Sequence, residues 1–199
     1  DFSKPAAWMV DGPSFGTRPA AAGELLLQAD GKQPFAGVQL FAAARRDPVW
    51  NGLTLGPHSE NDTGGLGRML RAGRTLRTPT FTLEKPTVYY LVKGTGMAYA
   101  TIGSHAVIHG PLHGSILYDL GGKKGENLRW VGHNLAPYIG QQFHVELTAK
   151  DDEPLEVLMV VQSDKPPALP LAPPGSDLAP RLASVENHSL AAWAGELRK

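Results

Sequence analysis

The clearest pattern in the chain runs through residues 76–113, LRTPTFTLEKPTVYYLVKGTGMAYATIGSHAVIHGPLH. Phe81 and Leu83 alternate with Thr80 and Thr82. Val88, Tyr90 and Val92 alternate with Tyr89, Leu91 and Lys93, and Ala98, Ala100 and Ile102 with Tyr99 and Thr101. A period of two in β-branched and aromatic residues predicts three antiparallel strands, each with one face in a core, separated by Pro and Gly turns. No window of this stretch places apolar residues at helical spacing.

The same rhythm continues on both sides. Towards the N-terminus, residues 7–10, 24–29, 38–41 and 50–55 read as strands, with Asp30-Gly31 as a hairpin dipeptide and 45–48 as a turn. Towards the C-terminus, residues 115–120, 128–135, 142–148 and 155–162 follow, the third with Phe143, Val145 and Leu147 opposed to His144 and Glu146. Strands recurring at roughly 8–12 residues predict an all-β fold, an antiparallel β-sandwich or jelly roll over residues 1–164. Residues 56–73 form the longest irregular segment, expected as an ordered loop at one end of the sandwich, with 69–72 a helical turn or an extended entry. From Lys165 the run KPPALPLAPPGSDLAP predicts a semi-rigid extended linker over 165–183. Leu190, Trp193, Ala194 and Leu197 then fall at helical spacing, so 184–199 is a short helical tail or the start of a following domain.

Composition sharpens this picture in three places. A chain of 199 residues buries one good core, on size scaling roughly 70% of its unfolded surface. Its 23 Gly and 17 Pro suit many short strands joined by turns. Lys plus Arg equals Asp plus Glu, so no cationic face is forced and nucleic acid is not an expected partner. Cysteine is absent, which removes disulfides, thiolate metal sites and C-x-x-C-H haem attachment from this piece. No apolar run approaches the roughly 20 residues of a membrane span. The chain opens on Asp1 without a charged-then-apolar leader, as expected of a mature or excised fragment.

Sugar recognition needs aromatic faces for pyranose C–H surfaces and polar neighbours for hydroxyls. Tyr89, Tyr99, Tyr118 and Trp130 are the aromatic candidates, with Arg77, Arg129, His133 and Glu146 as polar partners. Sandwiches also bury aromatics between their sheets, and Trp130 fits that reading as well. His105, His109 and His113 recur every fourth residue, but Gly110-Pro111 forbids a continuous helix, so they read as turn or surface histidines first, sugar contacts second and metal ligands last. In the 56–67 loop, Glu60, Asn61 and Asp62 offer oxygen ligands for a structural calcium without matching an EF-hand. Asp62-Thr63-Gly64 lacks the apolar residues that seat an aspartic-protease triplet. Gly64-Gly65-x-Gly67 lacks the Lys of a phosphate loop, and G-x-S-x-G and H-E-x-x-H do not occur.

The runs LRTPTFTL, VYYLVKGTG, GPLHGSI and LRWVGHNLAPYIGQQFHVEL together resemble a β-sandwich domain of large secreted planctomycete-type proteins that carry cytochrome-c domains. A weaker likeness links Leu76-Arg77-Thr78-Pro79-Thr80-Phe81 and Trp130-Val131-Gly132-His133-Asn134-Leu135, with Tyr138 and Gly140, to the sandwich modules of levanase-type glycoside hydrolases. The resemblance covers most of the chain from Trp8 to Asp164. It implies a galactose-binding-like jelly roll, read as a non-catalytic carbohydrate-binding module. By the same resemblance the protein is expected to be a monomer in the periplasm, outside the cell or on its surface, beside haem or catalytic domains. Such sandwiches carry an acidic residue in an A-V-D-x-V run of the last strand; Leu158 stands there in this chain, which counts against a calcium site using that carboxylate. Polysaccharide or oligosaccharide is therefore the expected ligand. The alternatives are an interdomain packing module without a glycan site and, last, a polysaccharide hydrolase, which requires two facing carboxylates that nothing in the sequence selects.

Overall fold

A computed structural model describes residues 1–2, 4, 7–27, 35–52, 65–66, 69–70, 73–103, 115–122 and 127–171, together with 177, 181, 192, 194 and 195. Its strands, in chain order, are β1 (Met9–Asp11), β2 (Leu25–Leu27), β3 (Phe35–Val38), β4 (Ala44–Arg45), β5 (Gly65–Leu66), β6 (Met69–Leu70), β7 (Thr75–Arg77), β8 (Phe81–Thr82), β9 (Thr87–Gly94), β10 (Gly96–Ile102), β11 (Leu117–Asp119), β12 (Arg129–Asn134), β13 (Gln142–Ala149) and β14 (Leu155–Ser163). All described pairings are antiparallel. The protein is all-β, as the period-two pattern implies.

Two compact units divide the chain. The first comprises Asp1–Pro19 and Ala43–Leu169, the second Ala20–Ala42 and Pro170–Lys199. In the first, one sheet runs β1-β7-β13-β10-β11 with β8 also on β13, and the other runs β12-β9-β14-β4. Leu76, Ala98, Ala100, Phe143, Val145 and Leu147 of the six-stranded sheet meet Val88, Tyr90, Val92, Leu155 and Val157 of the four-stranded sheet in one buried cluster. These are the apolar members of each alternating run. In the second unit β2 and β3 form a hairpin, closed by Gly23 N–H to Gln39 O and Gln39 N–H to Glu24 O. Arg181, Ala192, Ala194 and Gly195 are helical.

Three local features hold the first unit in register. Gly94 turns β9 into β10 at φ +92°, and a Cβ there would lie 2.0 Å from the Pro154 carbonyl oxygen, so only glycine fits. The turn that carries the chain from β13 in one sheet to β14 in the other holds Asp152, whose Oδ1 accepts from Arg46 Nη2 at 2.7 Å and whose Oδ2 accepts from Gly52 N–H at 2.8 Å. Arg46 Nη1 also donates to Asn51 Oδ1 and to the Asp152 carbonyl, so a buried guanidinium ties the β13–β14 turn to the chain around the 3-10 helix Pro48–Trp50.

That 3-10 helix corrects one expectation. Trp50 was expected to open a strand over residues 50–55, but the Asp47 carboxylate accepts from Val49 N–H at 2.9 Å with Pro48 in the first helical turn, a capping arrangement that a strand cannot use. The expected turn over 45–48 begins instead with the short strand β4. Residues 69–70 are extended, in β6. The last strand has a bulge between Val157 and Met159. Leu158 is buried at this bulge, and its carbonyl accepts from Phe2 N–H at 3.0 Å.

Candidate functional site

Strand β9 divides its residues cleanly. Val88, Tyr90 and Val92 enter the core, and Thr87, Tyr89, Leu91 and Lys93 face out. Register carries the outward face to both neighbours. Gly132 and Val161 lie opposite Tyr89, and Trp130 and Met159 lie opposite Leu91. Trp130 and Tyr89 are therefore diagonal neighbours on the outer face of the four-stranded sheet, a separation of about 7–8 Å that aromatic side chains bridge. Both are half-buried.

Gly132 shapes this face. A Cβ at Gly132 would lie 2.9 Å from Tyr89 Cε1 and 3.4 Å from Cδ1, so the Tyr89 ring rests on the bare backbone of the neighbouring strand. An isolated glycine within a strand pattern marks such a close approach, and the W-V-G-H-N run carries that signal. Leu91 faces outward yet is only 1% exposed, and it lies outside the main core cluster. Trp130 Nε1–H donates to the Ala168 carbonyl at 3.1 Å, which brings the Pro-rich segment after β14 onto this face.

A second cluster lies where the edge strands β11 and β12 approach. His133 points inward from β12 and is 1% exposed. Its Nε2 is 2.6 Å from the Ser115 carbonyl oxygen and its Nδ1 is 2.7 Å from the Tyr90 hydroxyl. A carbonyl only accepts, so the proton sits on Nε2 and the tyrosine donates to Nδ1. Burial holds the His133 pKa below its ordinary value, with the Ser115 hydrogen bond partly opposing. Burial, and secondarily the neighbouring Tyr118, push the Tyr90 phenol up. Tyr118 stacks on the imidazole with ring centroids 4.7 Å apart and planes at 24°. With both nitrogens engaged, His133 is a structural bridge between the sheet edges and offers no polar atom to a ligand. Tyr118 keeps an exposed ring at this seam, apart from Tyr89 and Trp130, because β12 turns its two faces to opposite sides.

The remaining expected contacts separate. Arg129 Nη2 stands within hydrogen-bonding distance of the carbonyls of Gly94 (2.8 Å), Leu120 (3.0 Å) and Gly121 (2.9 Å), which makes it a clamp on two loop exits. Arg77, Glu146 and Tyr99 share one row across β7, β13 and β10 on the outer side of the six-stranded sheet. Tyr99 is 6% exposed there and presents no ring face to solvent. His144 Nε2 lies 3.1 Å from Glu146 Oε1 in the same row system. His105, His109, His113, Glu60, Asn61 and Asp62 lie outside the described residues. Among the described residues no group of three or more His, Asp or Glu side chains is arranged to hold a metal ion. No described helix is long and apolar enough to cross a membrane.

Of the ten residues expected to touch a ligand, the structure thus places Tyr89 and Trp130 together on one outward face. No protein-family model, curated protein or solved structure matches this chain.

Proposed function

We propose that the chain is a non-catalytic carbohydrate-binding module, a galactose-binding-like jelly roll that tethers a larger secreted protein to polysaccharide. The observation that carries this reading is the pairing of Tyr89 and Trp130 on the outer face of the four-stranded sheet, with Gly132 letting the tyrosine ring lie low on the backbone. Two flat apolar faces at that separation suit successive sugar rings, whose C–H surfaces stack while the Tyr89 hydroxyl, Thr87 and Asn134 at the same surface bond hydroxyl groups. No bond is made or broken in this reading. In this reading Glu60, Asn61 and Asp62 supply the oxygen ligands of a structural calcium.

Affinity electrophoresis of the full chain through gels containing neutral or acidic polysaccharides tests it, run with calcium and with chelator. Retardation by a defined polysaccharide, weakened at least about fivefold in Tyr89→Ala and Trp130→Ala proteins that melt as the parent does, is the expected result. Such a loss is what about 1 kcal/mol of aromatic stacking provides. Migration unchanged across all polysaccharides would overturn the glycan reading and favour a module that packs against neighbouring domains.

A further inference from the structure

The aromatic face already has an occupant. After Ser163 the chain reads Asp164-Lys165-Pro166-Pro167-Ala168-Leu169-Pro170, in which every proline fixes its own φ and biases the residue before it to extended backbone. The segment is pinned at its start, where Lys85 Nζ pairs with Asp164 Oδ2 at 2.8 Å. It is pinned again where the Ala168 carbonyl accepts from the Trp130 indole. Ser163 ends β14 opposite Thr87, and Trp130 lies on β12, two strands away and further along. Two strand spacings are about 10 Å and the four positions from Thr87 to Leu91 add about 13 Å along the strands, a diagonal of about 16 Å; the five residues from Ser163 to Ala168 reach about 15 Å as polyproline-type chain, and the Trp130 side chain spans the remainder. To join these points the segment must cross β9 over the Tyr89–Leu91 face. Leu91, outward and 1% exposed, lies on that line beside Trp130, and Pro167 is half-buried while Pro166, Ala168 and Leu169 are exposed.

We propose that residues 165–169 are a built-in strap, a polyproline-type pseudo-ligand that occupies the Trp130 end of the aromatic platform and must lift before polysaccharide binds. The inference rests on the glycan reading above. Proline rings and sugar rings present the same chemistry to an aromatic side chain, a C–H-rich face with carbonyl or hydroxyl oxygens beside it. The one polar group on the indole, which a sugar hydroxyl would use, is committed to Ala168. A site open in only a fraction of molecules binds more weakly by that fraction. Because the strap leads directly into the residues beyond 170, anything that pulls on that connection opens the platform.

The test uses the full chain with 15N-labelled tryptophan, comparing the parent with Pro166→Gly/Pro167→Gly, which frees the strap's backbone without touching the platform. The indole N–H resonance of Trp130 reports strap contact, and affinity electrophoresis reports binding. The expected result is a shifted, faster-exchanging Trp130 indole proton in the variant and a gain in polysaccharide affinity of about threefold to tenfold. A freed indole with unchanged or weaker binding would overturn the gate while leaving the glycan reading in place. A parent indole proton that exchanges as fast as a free one would overturn the strap itself. A freed indole with no polysaccharide binding by either protein would overturn both, leaving only a docked linker.

Discussion

The bridge through His133 makes a quantitative prediction about stability and pH. The imidazole is held neutral between a donor, the Tyr90 hydroxyl at 2.7 Å, and an acceptor, the Ser115 carbonyl at 2.6 Å. Tyr90→Phe removes only the donor. It leaves Nδ1 as a buried acceptor without a partner, which costs about 1–3 kcal/mol. His133→Gln keeps a polar side chain but loses the stack under Tyr118 as well, and should cost more. The two changes act on one interaction, so their combined effect should fall short of the sum by about 1 kcal/mol or more. The pH dependence follows from the same geometry. His133 in the folded protein titrates below its ordinary value of 6.5, whereas the unfolded chain takes up the proton near that value. Stability from this residue is therefore fully present above about pH 6.5 and is lost as pH falls towards the lowered folded value, at no more than about 1.4 kcal/mol per pH unit. Urea melts of parent, Tyr90→Phe, His133→Gln and the double variant between about pH 5 and pH 8 measure both effects. Subtracting the His133→Gln profile isolates the contribution of His133 from that of every other group. A parent-minus-His133→Gln difference that stays flat below pH 6.5, or energies that simply add, would refute the buried neutral bridge.

Two further outcomes follow from the geometry. Gly132→Ala should leave stability within about 1 kcal/mol of the parent, since a strand glycine carries an entropic cost that alanine relieves and the contacted atoms are the far edge of a side chain. The same change lifts the Tyr89 ring off the sheet, so polysaccharide affinity measured beside the melt should fall several-fold; unchanged affinity would mean the ring is not a contact surface. Asp152→Ala should destabilise by about 1–3 kcal/mol in denaturant melts, because it strips the partner from the Arg46 guanidinium, 3% exposed, while Asp152 itself is 44% exposed and its pairing partly screened. A melt matching the parent's would show that Asn51 and the Asp152 carbonyl suffice to hold Arg46.

Alternation along the chain carried most of the fold into view, and the places where it failed share a cause. V-Y-Y-L-V-K reads correctly as Val88, Tyr90 and Val92 inward and Tyr89 outward, because a period of two assigns a face without knowing the partner strand. It cannot say whether an outward face meets water. Leu91 faces outward between Trp130 and Met159 and is nonetheless buried. Tyr99, Thr101, His144 and Thr148 are outward on the other sheet and equally closed to solvent. Nor does period report what a polar side chain is for. Arg129 and His133 look like ligand contacts in sequence because both share the run that holds Trp130, yet both point inward and bond to backbone carbonyls and the Tyr90 phenol. Tyr89 and Trp130 are the two aromatic candidates that face outward over Gly132, a residue whose meaning depended on a register no single strand reveals. The linker's role was hidden for the same reason. KPPALP reads as an extended linker from its prolines alone, and the 3.1 Å hydrogen bond from the Trp130 indole to the Ala168 carbonyl is a contact that no composition reveals. Under the proposed strap, polysaccharide affinity should rise when residues 165–169 are freed from Trp130, and the Pro166→Gly/Pro167→Gly comparison reads that outcome.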